Sequence, residues 1–197
     1  MIENVADSSY WSQKYMDGKT GWDIGTVSLP LKTYFDQLTD KSIRILVPGA
    51  GFGWEAEYLF ELGFSNVFVL DFAAEAIDGY QKRNPKFPES QLLTTDFFQH
   101  HAKYDLIVEQ TFFCALPRSK RADYIKKMHD LLSPKGKLIG LLFSLEFETP
   151  GPPFGGTKAE YFELFNNLFE FVVFEPSMNS IRPRQHNEFF FIGKPKI

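Results

Sequence analysis

The residues best placed to do chemistry form a glycine-rich run, Val47-Pro48-Gly49-Ala50-Gly51-Phe52-Gly53, between an apolar stretch and a stretch of helical spacing. Glycines at the end of a strand let a ligand approach the backbone closely, and the free N–H groups of the following helix face it. Asp71 lies 20 residues past Gly51, at the end of the next apolar run. An acidic side chain there can accept both hydroxyls of a ribose. Dinucleotide enzymes and methyltransferases that use S-adenosylmethionine (SAM) share this pair of features, and a tight turn without a ligand is the bland alternative. The dinucleotide fingerprint G-x-G-x-x-G needs a third glycine where this chain has Trp54. SAM has no pyrophosphate and does not need the same cradle, so the spacing favours a methyltransferase over a dehydrogenase.

Further candidates lie at later strand ends. Asp96 could accept from an adenine amino group while Phe97 covers the ring, although an Asp in a turn commonly caps local backbone instead. Glu109-Gln110-Thr111-Phe112-Phe113 closes another apolar run, where polar residues at a carboxyl end are candidates for a site. Cys114 follows an apolar strand end without a neighbouring His or cation, which reads as a core thiol rather than a nucleophile. His100-His101 reads as a surface turn, and no metal is expected.

These residues need a scaffold of alternating strands and helices, and the sequence supplies one. Two amphipathic helical pieces, Ser9 to Met16 and Pro30 to about Leu38, flank the turn-rich loop Gly18 to Gly25, which holds Trp22. Strands are expected at 43–47, 67–70, 91–94, 104–108 and 137–143. Helices are expected at 54–62, 73–82, 118–132 and 158–168, and Pro134-Lys135-Gly136 reads as a turn into the fifth strand. That alternation implies a mainly parallel, doubly wound α/β sheet. Two final strands, 169–174 and 188–192, have no helix between them and read as an antiparallel hairpin at one edge. The expectation is one domain, with residues 1–40 a helical lid segment and 41–197 the α/β core.

Composition narrows the partners. The net charge is −4, and only Arg118-Ser119-Lys120-Arg121 approaches a basic patch; at a helix start it reads as a solvated face rather than a nucleic-acid surface. A single cysteine excludes an internal disulfide and suits a reducing compartment. The N-terminus, Met1 to Asp7, is acidic and lacks the apolar run of a signal peptide, and no stretch has the apolar length of a membrane span. A cytoplasmic protein, monomeric or weakly dimeric, without nucleic-acid or membrane partners is expected. Aromatics reach 17%, with 22 Phe, enough for some rings to line a pocket beyond those that fill the core.

Taken in order, Trp11…Tyr15…Gly21-Trp22-Asp23-Ile24-Gly25, Leu46-Val47-Pro48-Gly49-Ala50-Gly51, Thr111-Phe112-Phe113-Cys114-Ala115-Leu116 and Gly151-Pro152-Pro153-Phe154 resemble the thiopurine S-methyltransferase superfamily. The likeness is greatest to its halide/thiol methyltransferase branch and runs from about Tyr10 to the C-terminal strands. The resemblance implies the class I SAM-dependent methyltransferase fold and N-terminal aromatics, here Trp11, Tyr15 and Trp22, closing over the cofactor. It also implies cofactor contacts from Gly49, Gly51, Asp71, Asp96, Phe97 and Gln110, and an acceptor bounded by Trp22, Phe112, Phe113 and Arg182. The chain departs from that branch at Tyr15, where a second Trp is common, and at Gln110, where Tyr is expected. The expected acceptor is a small soft nucleophile such as a halide or thiol. An aromatic thiol of the thiopurine type, and a SAM-binding protein without catalysis, stand as alternatives. Arg182 and Arg184 are the cations that could lower a thiol's pKa, and no residue is assigned as a base.

Overall fold

The computed structural model describes residues 7–148 and 150–196; Met1 to Ala6, the acidic start of the chain and of the expected lid, lie outside them. Seven strands form one sheet: β1 (Ile45–Pro48), β2 (Val67–Asp71), β3 (Leu92–Thr94), β4 (Tyr104–Gln110), β5 (Leu132–Phe143), β6 (Phe169–Pro176) and β7 (Glu188–Pro195). Their order is β3-β2-β1-β4-β5-β7-β6. The first five pair in parallel, and β7 pairs antiparallel with both β5 and β6. The expected mainly parallel sheet with a C-terminal edge hairpin is therefore present, with β6 outermost.

Period-2 alternation assigns side chains to the two faces. Ile45, Val47, Val67, Val69, Leu106 and Val108 belong to one buried cluster. It is completed by residues of α2 (Leu29–Phe35), α3 (Trp54–Glu61) and α4 (Ala74–Arg83). Leu46, Leu70, Ile107, Leu138 and Leu142 belong to the other, packed with residues of α5 (Arg121–Leu131) and α6 (Lys158–Phe165). Because β1 is flanked by β2 on one side and β4 on the other, the chain reverses direction across the sheet between them. The chain then leaves the carboxyl ends of β1 and β4 toward opposite faces, to α3 and α5, and a crevice lies between the two exits. The first helix, α1 (Ser8–Met16), precedes the sheet and is capped by the Asp7 carboxylate, which accepts from Ser9 N–H.

Two local expectations change. Residues 134–136 are not a turn before the fifth strand, because β5 already begins at Leu132. Between Tyr104↔Leu132 and Leu106↔Lys137 the ladder register shifts, and the extra β5 residues are absorbed as an irregularity in the strand. The basic run is not a uniform solvated face either. It opens with a 3-10 turn, Arg118–Lys120, and the Arg121 side chain is buried at 2% exposure, donating to Gly155 O at 2.7 Å and paired with Glu160. No described helix is long and apolar enough to cross a membrane.

The β7 hairpin is seated through Phe191, fully buried between Phe165 and Phe171 (ring centroids 5.9 Å from each). Replacing it by alanine leaves a cavity, and Phe191→Ala is expected to cost about 3–5 kcal/mol in urea unfolding. Val172, on the same hairpin but 52% exposed, is the contrast: Val172→Ala should stay within about 0.5 kcal/mol.

Candidate functional site

The crevice is built from the glycine turn outward. In the turn after β1, Gly49 and Gly51 adopt φ +56° and +57°, the left-handed region that side chains rarely occupy. The parallel register Pro48↔Leu70 sets the end of β2 beside this turn. There Asp71 accepts from Gly51 N–H and Ala73 N–H, each at 3.0 Å, one on each carboxylate oxygen. Burial pushes the Asp71 carboxyl above its ordinary value, and the backbone N–H groups oppose that shift. Each oxygen keeps a further lone pair for a ligand.

An aromatic roof covers the turn. A side chain added at Gly51 would point at the Tyr15 hydroxyl (3.3 Å) and Trp22 Nε1 (3.7 Å). Trp22 meets Trp11 and Tyr15 edge-on, at 5.3 and 5.6 Å between ring centroids, and Tyr15 meets Phe52 at 5.6 Å. Burial, and then the Asp71 charge, push the Tyr15 hydroxyl up, so this phenol stays neutral beside the carboxylate. Three hydrogen bonds fasten the roof to separate parts of the fold. Ser12 Oγ donates to Glu75 on α4 (2.7 Å), Trp54 Nε1 donates to Asp23 (2.7 Å), and Arg184 donates to the Trp22 carbonyl (2.7 Å).

Beneath the roof lies a cavity of about 750 Å³. Trp11, Tyr15, Trp22, Gly49, Gly51 and Asp71 all line it, as do Asp96, Phe97 and Phe112. Asp96 also caps the 3-10 turn Phe97–Gln99 by accepting from Phe98 N–H (2.9 Å), so its local capping role is real while the residue still borders the cavity. Phe97 is buried and stands edge-on to Phe112 at 5.1 Å.

Two expected site residues lie away from this cavity, and a third lines an adjoining one. Phe113 is 1% exposed and packs deeper in the core on Tyr124, Tyr161 and Phe165, while Phe112, which precedes the 3-10 turn Phe113–Ala115 and also meets Tyr124, reaches the cavity. Arg182 is exposed and borders no part of the cavity; at three residues per turn in the segment Arg182–Arg184 it points away from the side that Arg184 presents. Gln110 lines a smaller cavity of about 40 Å³, which shares Trp22, Gly49, Gly51 and Thr111 with the larger one. Its Oε1 is buried there without a hydrogen-bond partner.

The model of the family described as thiopurine S-methyltransferase (TPMT) matches residues 6–189. The chain belongs to the thiopurine S-methyltransferase family. It is similar to a probable thiol methyltransferase 2 of Arabidopsis thaliana, 29% identical over 194 residues (95% of this chain, 84% of the relative). A thiocyanate methyltransferase 1 of Brassica oleracea is 28% identical over 195 residues, covering 95% of this chain and 85% of its own. A thiopurine S-methyltransferase of Vibrio vulnificus is 29% identical over 184 residues, 83% of each chain. In fold, the chain is similar to a Burkholderia thailandensis 1,6-didemethyltoxoflavin N1-methyltransferase solved with S-adenosylhomocysteine. That match has a TM-score of 0.78 at 18% identity and covers 98% of this chain and 87% of the other. A TehB-like SAM-dependent methyltransferase of Corynebacterium glutamicum gives 0.66 at 19% identity, over 98% and 100%. The architecture is thus the class I methyltransferase fold, and the chain is a methyltransferase.

Several cavity residues were not singled out as lining it by sequence reasoning. Phe143, Phe147, Pro152 and Pro153 form a wall, and Cys114, also a lining residue, donates its thiol to Thr111 O (3.3 Å). Burial pushes the Cys114 thiol up, which keeps it un-ionised. Among the described residues no group of three or more His, Cys, Asp or Glu side chains gathers as a metal site. Only the repeated aromatics and prolines could have signalled the wall, because a loop's path is not written in its periodicity.

Glu109, at the end of β4, is fully buried, and burial pushes its carboxyl from 4.5 up to about 7. Between those pH values the folded chain keeps a proton that the unfolded chain has lost. This residue's contribution to stability is therefore present below about pH 4.5 and is lost as pH rises through about 7. The urea midpoint of the wild type should fall between pH 5 and pH 8 relative to that of Glu109→Gln, whose amide does not titrate. A constant gap between the two would contradict this.

Proposed function

We propose that the cavity binds SAM and that this enzyme passes its methyl group to a small soft nucleophile, a halide or thiol. The observation that carries the cofactor reading is the buried Asp71 carboxylate, held beside the left-handed Gly51 and beneath Trp22 and Tyr15. The residues fit the group. Asp71 has free lone pairs for the ribose hydroxyls, Asp96 and Phe97 border the cavity where an adenine would lie, and the unpaired Gln110 Oε1 is an acceptor for a methionyl ammonium. Bound there, SAM would supply an electrophilic methyl on a sulfonium sulfur.

The chain's own residues then have three tasks. Trp11, Tyr15 and Trp22 exclude water and offer ring faces and edges to a cation. The apolar wall of Phe112, Phe143 and Phe147 holds the acceptor against the methyl, and such positioning alone can be worth about 7–11 kcal/mol. Arg184, the guanidinium that lines the cavity, places positive charge near an anionic acceptor. A soft anion is already nucleophilic, which suits a site walled by rings rather than by a base. Relatives named for thiol and thiocyanate methylation support this acceptor class. The second reading, an aromatic thiol, is favoured by the breadth of the cavity and its aromatic wall.

Of the expected 1–40 lid segment, the described residues 7–25 act in this reading as a lid, whereas α2, whose Leu31 and Phe35 are fully buried, belongs to the body of a single domain, in a cytoplasmic, monomeric or weakly dimeric protein. Limited proteolysis near Lys14 and Lys19 should slow when S-adenosylhomocysteine is added, and equal rates with and without it would end the lid reading. Labelled methyl transfer from SAM to iodide, thiocyanate, sulfide, small thiols and a thiopurine tests the acceptor. Transfer to the small anions should exceed transfer to the thiopurine. Arg184→Leu should reduce it at least about 10-fold, the cost of one charge-assisted hydrogen bond, and Arg182→Leu should leave it within about twofold. Preference for the thiopurine would move the assignment to the second reading.

A further inference from the structure

The 111–116 segment forms one side of the cavity, and nothing about its own sequence explains why it stays there. Thr111 sits at φ +58°, a left-handed conformation that costs a β-branched residue energy unless its surroundings enforce it. Thr111, Phe112, Cys114, Ala115 and Leu116 all line the cavity. Phe112 occupies the space beside Gly49 so closely that a Cβ on that glycine would lie 2.3 Å from its ring. The ring therefore touches the glycine turn on one side and Phe97 on another. A small displacement of this segment would move the wall relative to both.

The constraint comes from behind. Glu109 Oε1 accepts from Phe112 N–H (2.8 Å) and Phe113 N–H (2.9 Å), and its Oε2 accepts from the Tyr124 hydroxyl of α5. The carboxylate itself is not among the residues lining the cavity, and both Glu109 and Tyr124 are fully buried. Tyr124 in turn packs edge-on against Phe112 and Phe113. One carboxylate thus ties two consecutive backbone N–H groups of the segment to a helix across the core, and it does so from a residue that the β4 ladder itself holds, Glu109 pairing with Gly140 of β5.

Resting on the methyltransferase reading above, we propose that Glu109 is a positioning residue for methyl transfer: it holds the 111–116 segment so that Phe112 and its neighbours press the acceptor against the transferred methyl. Its role is geometric, exerted through two N–H groups, and it needs an acceptor oxygen at that place rather than a negative charge. A glutamine can present Oε1 to both N–H groups and donate its amide to the Tyr124 oxygen, whereas a methionine of similar size can do neither.

The test compares these two substitutions in the full chain, with iodide and 2-mercaptoethanol as acceptors and S-adenosylhomocysteine as the calorimetric probe. Glu109→Met should lower kcat/KM for the acceptor about 100-fold, as expected for a wall displaced by roughly an ångström, while the affinity for S-adenosylhomocysteine stays within about threefold. Glu109→Gln should keep kcat/KM within about threefold of the wild type. Phe169→Leu, a substitution in the buried β6 core, supplies a destabilised control whose kcat/KM should not fall. A folded Glu109→Met that methylates within twofold of the wild type would overturn the proposal, as would a folded Glu109→Gln that loses as much as Glu109→Met. If Glu109→Met does not fold, Glu109→Asp decides: it keeps the charge, falls one methylene short of the two N–H groups, and should lose at least about 10-fold. Undiminished transfer by that variant would equally overturn it. A wild type that binds no S-adenosylhomocysteine would instead refute the cofactor reading, a result separable from either outcome here.

Discussion

The hydrogen bond from Gly51 N–H to the Asp71 carboxylate is the contact on which the rest of the site depends. It spans two neighbouring strands and exists only because Pro48 pairs with Leu70 in a parallel register that brings the ends of β1 and β2 level. A slip of one residue would turn Asp71 to the other face of the sheet. The cost of burying the carboxylate is met by backbone donors on both oxygens, so the group is oriented before any ligand arrives. A turn with side chains at Gly49 or Gly51 could not hold this geometry without strain.

Everything else in the crevice is placed relative to that contact. The roof is brought to it by Ser12, Trp54 and Arg184, which belong to α1, α3 and the link between β6 and β7. These ties come from widely separated parts of the sequence, so the N-terminal aromatics are fixed by the finished fold and not by their own helix, which buries no residue of its own completely. The wall is placed from the opposite direction, through Glu109 and through Arg121, whose buried guanidinium holds the carbonyls of Phe154 and Gly155 near the proline-containing loop. A site assembled this way fixes the geometry of its ring-lined wall, which suits transfer to an acceptor that needs no base.

What the sequence made legible follows the range of the interactions involved. The Asp71 and Gly51 pairing could be read because strand–turn–helix chemistry is local and its spacing is short. The short apolar run through Ile45, Leu46 and Val47, set in a chain where strands alternate with helices, likewise announced a sheet covered on both sides. Phe113 and Arg182 lie off the cavity because each belongs to a short 3-10 segment, whose three-residue turn gives neighbours one or two positions apart different surroundings, and no sequence periodicity marks which of them reaches the cavity. Arg121 read as solvated because nothing in Arg118-Ser119-Lys120-Arg121 reveals that Glu160 and a loop carbonyl, more than thirty residues on, close over it. Trp54 counted in the sequence only as the absence of a glycine, whereas in the fold its indole N–H anchors the loop that carries Trp22.

The measurement that bears most directly on this account is calorimetric titration of S-adenosylhomocysteine into the wild type and into Asp71→Asn, with thermal unfolding to show that both are folded. Asparagine keeps the shape of the side chain but removes the charge that would strengthen two hydrogen bonds to a ribose, each worth ~1.5–3 kcal/mol. The wild type should bind one equivalent, and the folded variant should bind at least about 100-fold more weakly. Equal affinity in the two proteins would show that the buried carboxylate beneath the aromatic roof is not where the cofactor is held.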